Sequence, residues 1–311
     1  MGKRVLVFGS YVTDLCARTN RFPKPGETVK GNYFKLGPGG KGSNQAVAAH
    51  RAGANVTFIT KLGNDTLGKQ ALDFYRAEKM STEHILIDNE LATGAALIAV
   101  NEETSQNQII VIGGACENFT ESDMPKILRE VESADILLLQ LEINAKPIRQ
   151  VLKHAKKHGL LTVLNPAPAK ILEKELYELV DIITPNETEA QVLTDIQVSN
   201  RHSAREAAQA LLKKGVRKVV ITLGEQGAFA GDEENERFYD IIPSGTVLDT
   251  TGAGDAFSGG LVAALAGGID FFDAVTYSSI VAGISVTKHG TAPSMPHKAE
   301  IDRRFDEVKA R

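Results

Sequence analysis

Cysteine is nearly missing: the 311 residues include only Cys16 and Cys116. Two thiols are too few for a disulfide framework or a cysteine-ligated zinc site, and they fit a reducing compartment. Long apolar runs are missing as well. The longest charge-free stretches, such as Ala256–Ile269, stop at 14 residues, short of the 18 or more that a membrane-spanning helix needs. The opening residues Met1 to Gly9 enter a strand at once, without a signal-peptide core or cleavage site. Leu6 stands where a myristoylation signal wants Ser or Thr. No basic excess advertises nucleic acid or an anionic membrane, since the net charge is −4. Repeats, low-complexity tracts and charge blocks are also lacking. The expectation is a soluble cytoplasmic protein with neither nucleic-acid nor membrane partners.

What is present is ordinary globular material. Hydrophobic residues make up 42% and charged residues 24%, which excludes long disorder. The length suits two domains, or one large domain with an appendage. Short β-branched runs (Val5–Phe8, Val56–Thr60, Ile136–Gln140, Leu161–Leu164, Ile182–Thr184, Val219–Thr222) alternate with helical stretches near Ser43–Ala52, Leu67–Lys79, Lys146–Lys157 and Ala204–Lys214. Continuous apolar strands between amphipathic helices predict an α/β fold whose parallel sheet is covered on both faces. The Ala- and Gly-rich stretches Ala253–Ala266 and Phe271–Lys288 read as closely packed helices, and Lys298–Ala310 as a charged closing helix.

Two segments break the rhythm. Thr13–Leu36 carries Pro23, Pro25 and Gly26 and no helical pattern, and Ala95–Ile112 reads as two strands around the polar turn Asn101–Ser105. Together they predict a small inserted sheet. Such a sheet exposes one face, so it must cover a ligand, another subunit or both. The division is therefore a body of residues 1–12, 38–94 and 113–311, with a lid of residues 13–37 and 95–112.

Gly37, Gly39 and Gly42 satisfy Gly-x-Gly-x-x-Gly ahead of a helix. A dinucleotide site would place that motif in the first strand–helix turn, with an acid about 20 residues on. Here the first strand lies far upstream, and positions 57–62 (Thr-Phe-Ile-Thr-Lys-Leu) hold no acid. Lys41 is followed by Gly42 rather than Ser or Thr, so this is no Walker A loop either. What survives is a backbone that a ligand can approach, a cation at Lys41, and a donor and acceptor at Asn44. A second candidate is Asp249-Thr250-Thr251-Gly252-Ala253-Gly254-Asp255 at a helix start. Glycines there bare the first N–H groups, which with the helix dipole make an anion site suited to a phosphoryl group. Asp255 lies beside it, placed to accept a proton, although an acid in a first helical turn also serves simply to complement the dipole. Glu142, at the end of an apolar strand, reads either as a ligand group or as a cap for the helix after it. The cysteines read as small residues of the inserted sheet without a redox role.

These two stretches resemble the N- and C-terminal signatures of the ribokinase family, the PfkB-type carbohydrate kinases. Further matches occur in family order: Gly9-Ser10 with Asp14, Gln140-Leu141-Glu142, Leu164 to Ala169, Thr184 to Glu189, Thr222 to Gly227 and Val286 to Gly290. The resemblance implies a three-layer α/β sandwich with a mostly parallel central sheet and a small β-sheet lid. It implies a kinase that passes a phosphoryl group from ATP to the primary hydroxyl of a pentose, with Mg²⁺ and a K⁺ activator, as a homodimer joined through the lid. By that likeness Asp14, Gly40, Lys41, Gly42, Asn44 and Glu142 contact the sugar. Asp255 is the base, and Gly252, Ala253 and Gly254 form the anion hole. Asn186, Thr222, Gly224, Glu225, Gln226, Gly227, Gly254 and Ser279 serve the nucleotide, with Glu189 holding Mg²⁺ through water. The K⁺ positions are Asp249, Thr251, Ser285, Lys288, Gly290 and Ser294. Phosphoryl transfer asks mainly for positioning and charge stabilisation, which this set supplies.

One residue departs from the pattern. Family members that act on ribose usually carry Asn two residues before the sugar-binding Asp, and this chain has Val12. That removes a donor from a sugar hydroxyl and opens 2-deoxyribose, or another sugar or nucleoside, beside ribose. Two other classes stand as alternatives: a sugar-sensing regulator on this fold, which should have lost Asp255 or the glycine pair, and an NAD-dependent oxidoreductase.

Overall fold

The computed structural model describes residues 2–104 and 106–310. Met1, Arg311 and Ser105 of the expected turn lie outside the described residues. In chain order the elements begin with β1 (Arg4–Phe8), β2 (Val12–Thr19), β3 (Tyr33–Gly39), α1 (Lys41–Arg51), β4 (Asn55–Ile59), β5 (Lys61–Gly63), α2 (Thr66–Ala77) and β6 (Leu86–Asp88). Next come β7 (Thr93–Asn101), β8 (Asn107–Gly114), α3 (Met124–Glu132), β9 (Ile136–Leu139), α4 (Ala145–Lys157), β10 (Leu161–Leu164), α5 (Lys174–Glu178), β11 (Ile182–Ile183) and α6 (Glu187–Thr194). The last third holds α7 (Arg201–Lys213), β12 (Lys218–Thr222), β13 (Ala228–Gly231), β14 (Glu236–Tyr239), α8 (Ala253–Ala266), α9 (Phe271–Ser285) and α10 (Lys298–Lys309).

The main sheet has eight strands in the order β14-β13-β12-β11-β10-β9-β1-β4, parallel except at the β12–β13 and β13–β14 pairs. Strand alternation divides its side chains between two cores. Val5, Val7, Leu138 and Val163 face α1, α8 and α9, while Leu6, Phe8, Leu137 and Leu139 face α3, α4 and α7. Helix α8 is apolar nearly all round, the mark of a helix buried on every side. Glycine lets it fit: a Cβ on Gly259 would lie 2.5 Å from that of Ala48 on α1, and one on Gly260 would lie 2.8 Å from Val281 on α9.

The inserted sheet is four-stranded, β3-β2-β7-β8, with β2 and β7 parallel and both outer pairs antiparallel. Its strands reach slightly beyond the segments read from sequence, because Val12 pairs with Gly39 and Thr93 with Gly114 at the base. Phe34 (63% exposed), Leu97, Ile109 and Ile110 (64% exposed) leave it with a large uncovered apolar surface. Cys16 lies in β2, but Cys116 falls in a single helical turn past the sheet, its thiol donating to the Gly113 carbonyl at 3.1 Å. Among the described residues no helix is long and apolar enough to cross a membrane.

Candidate active site

Loops leaving the carboxyl ends of β10, β11 and β12 meet Lys41 at the start of α1 and the start of α8 around a cavity of about 150 Å³. A parallel sheet leaves this edge free for ligands. The α8 N-terminus begins at Gly252, whose φ of 80° suits glycine. Nothing lies within 4 Å of a Cβ built on Gly254, so the backbone there is open. Of the three expected anion-hole groups, the Ala253 N–H is turned back onto the Thr250 carbonyl at 3.2 Å. Asp255, in the first turn, is only 6% exposed.

Asp255 is held by side-chain amides. Asn44 Nδ2 donates to Oδ2 and Gln45 Nε2 to Oδ1, each at 2.9 Å. Gln45 Nε2 also reaches Asn165 Oδ1 at 3.0 Å, Gln140 Nε2 donates to Gln45 Oε1 at 2.7 Å, and Asn165 Nδ2 donates to the Thr184 carbonyl at 3.0 Å. Gln140 and Asn165 stand in two of the matching motifs, but nothing in their local sequence gives them or Gln45 a role. The available signal was an amide side chain at the end of an apolar strand, or on the buried face of a helix. Such groups are seldom buried without a partner.

Asp14 sits on β2 opposite Gly37. Its carboxylate lies over Gly39, where a Cβ would fall 2.2 Å from Asp14 Oδ1. At Gly40 (φ 86°) a Cβ would meet the Val12 nitrogen at 2.8 Å, and at Gly42 the Ser10 nitrogen at 2.5 Å, so α1 can approach the β1–β2 turn only through glycine. Glu142 Oε2 accepts the Lys41 N–H at 2.8 Å and the Ser10 hydroxyl at 2.5 Å. Glu142 therefore caps α1, not the helix that follows it. Burial pushes the Asp14 carboxyl up to about 6; Thr291, whose hydroxyl lies 3.4 Å away, opposes the rise, and the charges of Glu142 and Asp255 add to it. Burial pulls the Lys41 ammonium down, but Asp255, Glu142 and Glu189 outweigh it and leave the group above its ordinary value. Asn44 Oδ1 is buried without a partner among the described residues. Thr291, which no local motif marks, also donates to the Pro38 carbonyl at 3.1 Å.

On the far side of the cavity Asn186 and Glu189 form a capping box for α6. Asn186 accepts from the Glu189 N–H at 2.8 Å, and Glu189 Oε2 accepts from the Asn186 N–H at 2.9 Å. Both residues line the cavity with Lys41 and Thr222. Burial holds the Glu189 carboxyl above the usual range, against the Asn186 hydrogen bond. The Gly224–Gln226 turn and Gly227 stand outside the cavity wall, with Glu225 and Gln226 exposed. Gly227 is required by packing, since a Cβ would lie 1.9 Å from the Tyr239 carbonyl oxygen. Ser279, on α9, returns its hydroxyl to the Val275 carbonyl at 3.0 Å.

Asp249 accepts the Thr251 N–H at 2.9 Å and the Gly290 N–H at 3.0 Å. Burial works to raise its carboxyl, and these bonds overcome it, leaving the group below its ordinary value. The hydroxyls of Ser285 and Ser294 donate to the Ala282 and Thr291 carbonyls at 2.8 and 2.7 Å. Lys288 turns away and pairs with Glu300 at 2.9 Å.

A model of the pfkB family of carbohydrate kinases matches residues 3–298. The chain belongs to this family. A ribokinase of Haemophilus influenzae is 41% identical over 302 residues, 96% of this chain and 97% of that one. A deoxyribokinase of Salmonella typhimurium is 34% identical over 293 residues, 94% and 95% of the two chains. The solved structure of Arabidopsis thaliana ribokinase complexed with ribose and ATP is 30% identical, with a TM-score of 0.89 over 98% of this chain and 99% of that one. As a pfkB kinase the chain is a phosphotransferase with an alcohol acceptor. The geometry brings Asp14, Lys41, Asn44, Glu142, Glu189 and Asp255 around one cleft of that kinase and leaves the Gly224–Gly227 turn and Ser279 further out.

Proposed function

We propose that this chain is a cytoplasmic kinase that transfers the γ-phosphoryl group of ATP to the primary hydroxyl of D-ribose. The observation that carries the reading is Asp255: a buried carboxylate oriented by two amides, in the first turn of a helix whose N-terminal backbone is open at Gly254. Asp255 accepts the proton of the attacking hydroxyl, and the α8 N-terminus draws off charge from the transferred group. Lys41 neutralises negative charge across the cleft. Asp14, Glu142, Asn44 and the Gly39–Gly42 backbone take the sugar hydroxyls; the unpartnered Asn44 oxygen is an acceptor facing that task. The nucleotide lies towards Asn186, Thr222 and the Gly224–Gly227 turn.

Oxygen-rich positions suit the two cations. Glu189 has one carboxylate oxygen free of its capping bond, which fits Mg²⁺ held through water, an ion that would shield phosphate charge. Asp249, with carbonyls of the 285–294 segment, fits K⁺, and Lys288 leaves the place free by pairing with Glu300. Bound there, K⁺ would add positive field beside the anion hole.

The uncovered apolar face of the inserted sheet, with outer strands β3 and β8 free along one edge each, supports its role as a lid that also joins two copies of the chain.

A second reading, 2-deoxyribose, rests on Val12. Its side chain packs on Gly94, where a Cβ would lie 2.9 Å from Val12 Cγ1, and it offers no hydrogen bond. Thr13 projects to the opposite face of β2 and is taken up by the Tyr11 hydroxyl at 3.2 Å. A sugar hydroxyl left unpaired costs about 1–3 kcal/mol, or roughly 5- to 150-fold. Competition of the two sugars in one assay decides: a ribose preference above about tenfold, on that scale, eliminates deoxyribose. A deoxyribose preference that Val12→Asn shifts toward ribose overturns ribose as the substrate.

A further inference from the structure

We propose that Glu132, His154 and His158 form a surface site for a divalent transition ion of the Zn²⁺ class. The two histidines are four residues apart on α4 and the turn that ends it, so their rings share one face, with centroids 4.3 Å apart. Glu132 ends α3 and reaches the same point: its Oε1 lies 3.0 Å from His154 Nε2 and 3.9 Å from His158 Nε2. All three ligand atoms lie within 4.8 Å of one another. Metal–ligand bonds of about 2.0–2.1 Å in a tetrahedron put ligand atoms roughly 3.3 Å apart, so the observed distances bracket the requirement.

The tautomer is also set. His158 Nδ1 lies 3.0 Å from the His154 carbonyl oxygen. Only an N–H can satisfy that acceptor, which leaves the lone pair on Nε2, the atom turned toward Glu132. Side-chain exposures of 20% for His154, 31% for His158 and 50% for Glu132 give an ion a way in and a water a fourth position. Two imidazoles and one carboxylate select Zn²⁺ over Mg²⁺ or Ca²⁺, which want oxygen. The cluster precedes β9 and β10, at the amino ends of the strands and therefore on the opposite rim from the catalytic cleft. A bound ion would tie α3 to α4 without entering the reaction.

Calorimetric titration of the full chain with Zn²⁺ alone, with Mg²⁺ in excess to occupy oxygen-ligand sites, tests this. One equivalent should bind at micromolar Zn²⁺. His158→Ala and Glu132→Gln should each weaken it by at least about tenfold, the scale on which even outer-shell contacts matter, with kcat of the metal-free kinase unchanged. Co²⁺ should give a low-symmetry visible spectrum that His154→Ala abolishes. Absence of saturable Zn²⁺ binding, or binding that survives His154→Ala and His158→Ala together, would overturn the site and leave only a His154–Glu132 hydrogen bond.

Discussion

Asp14→Asn should make this protein more stable and a worse enzyme. Burial raises the Asp14 carboxyl from 3.8 to about 6, so the folded chain holds this proton more tightly than the unfolded chain does. The sign follows. Below about pH 4 both states are protonated and the carboxyl costs nothing. Between about pH 4 and pH 6 the unfolded chain releases the proton while the folded chain still holds it, so stability falls across that window and levels off above it, where the folded state carries the poorly solvated charge. At about 1.36 kcal/mol per pH unit the full cost is about 3 kcal/mol at pH 8. Asparagine keeps the shape and does not ionise; after allowance for about 1 kcal/mol of weakened contact to Thr291, the variant should gain about 1–3 kcal/mol. Urea unfolding at pH 8 and pH 5 measures this, with the gain roughly halved at pH 5. The same change removes a charged acceptor from the sugar, so KM should rise about 10- to 150-fold. A variant no more stable than its parent at pH 8, or equally stabilised at both pH values, would show that the Asp14 charge is not the source of the cost.

The remaining expectations are simpler. Asp255→Asn should lower kcat by about 10²- to 10⁴-fold with sugar and ATP affinity little altered; near-normal turnover would remove Asp255 from the chemistry. Exchanging Na⁺ for K⁺ at constant ionic strength should raise kcat, and Asp249→Ala should erase the response, so indifference of the parent enzyme to K⁺ contradicts the cation position. Sugar should slow hydrogen exchange in β2, β3, β7 and β8 as the lid closes and excludes water; protection limited to the body would make the sheet a fixed decoration.

Most of the parallel body was legible because its strands are short apolar runs and its helices amphipathic. The antiparallel edge β13–β14 was not, since Ala228–Gly231 is small and plain and takes its place only by pairing with β12. The glycines before α1 and at α8 were legible as sites of close approach. The residues that orient the chemistry were less so. Thr291 meets Asp14 across 277 positions of sequence, and the Gln140–Gln45–Asp255 chain joins three separate segments. No local spacing encodes such contacts. Lys288 was legible as a cation but not in direction, because Glu300 on α10 decides where it points.

The strand order carries a consequence for synthesis. After β9, which docks on β1, every strand takes its place beside the one made just before it, so the sheet can lengthen at one edge as the chain leaves the ribosome. Its other layer cannot keep pace. On β1, Val5 and Val7 share their core with α8 as well as α1, and α8 appears some 200 residues after β4. At about 5–20 residues per second that is roughly 10–40 s, during which an apolar sheet face has only α1 and α2 to shield it. The nascent chain is thus a ready client for any factor that holds apolar surfaces, until its final fifth arrives.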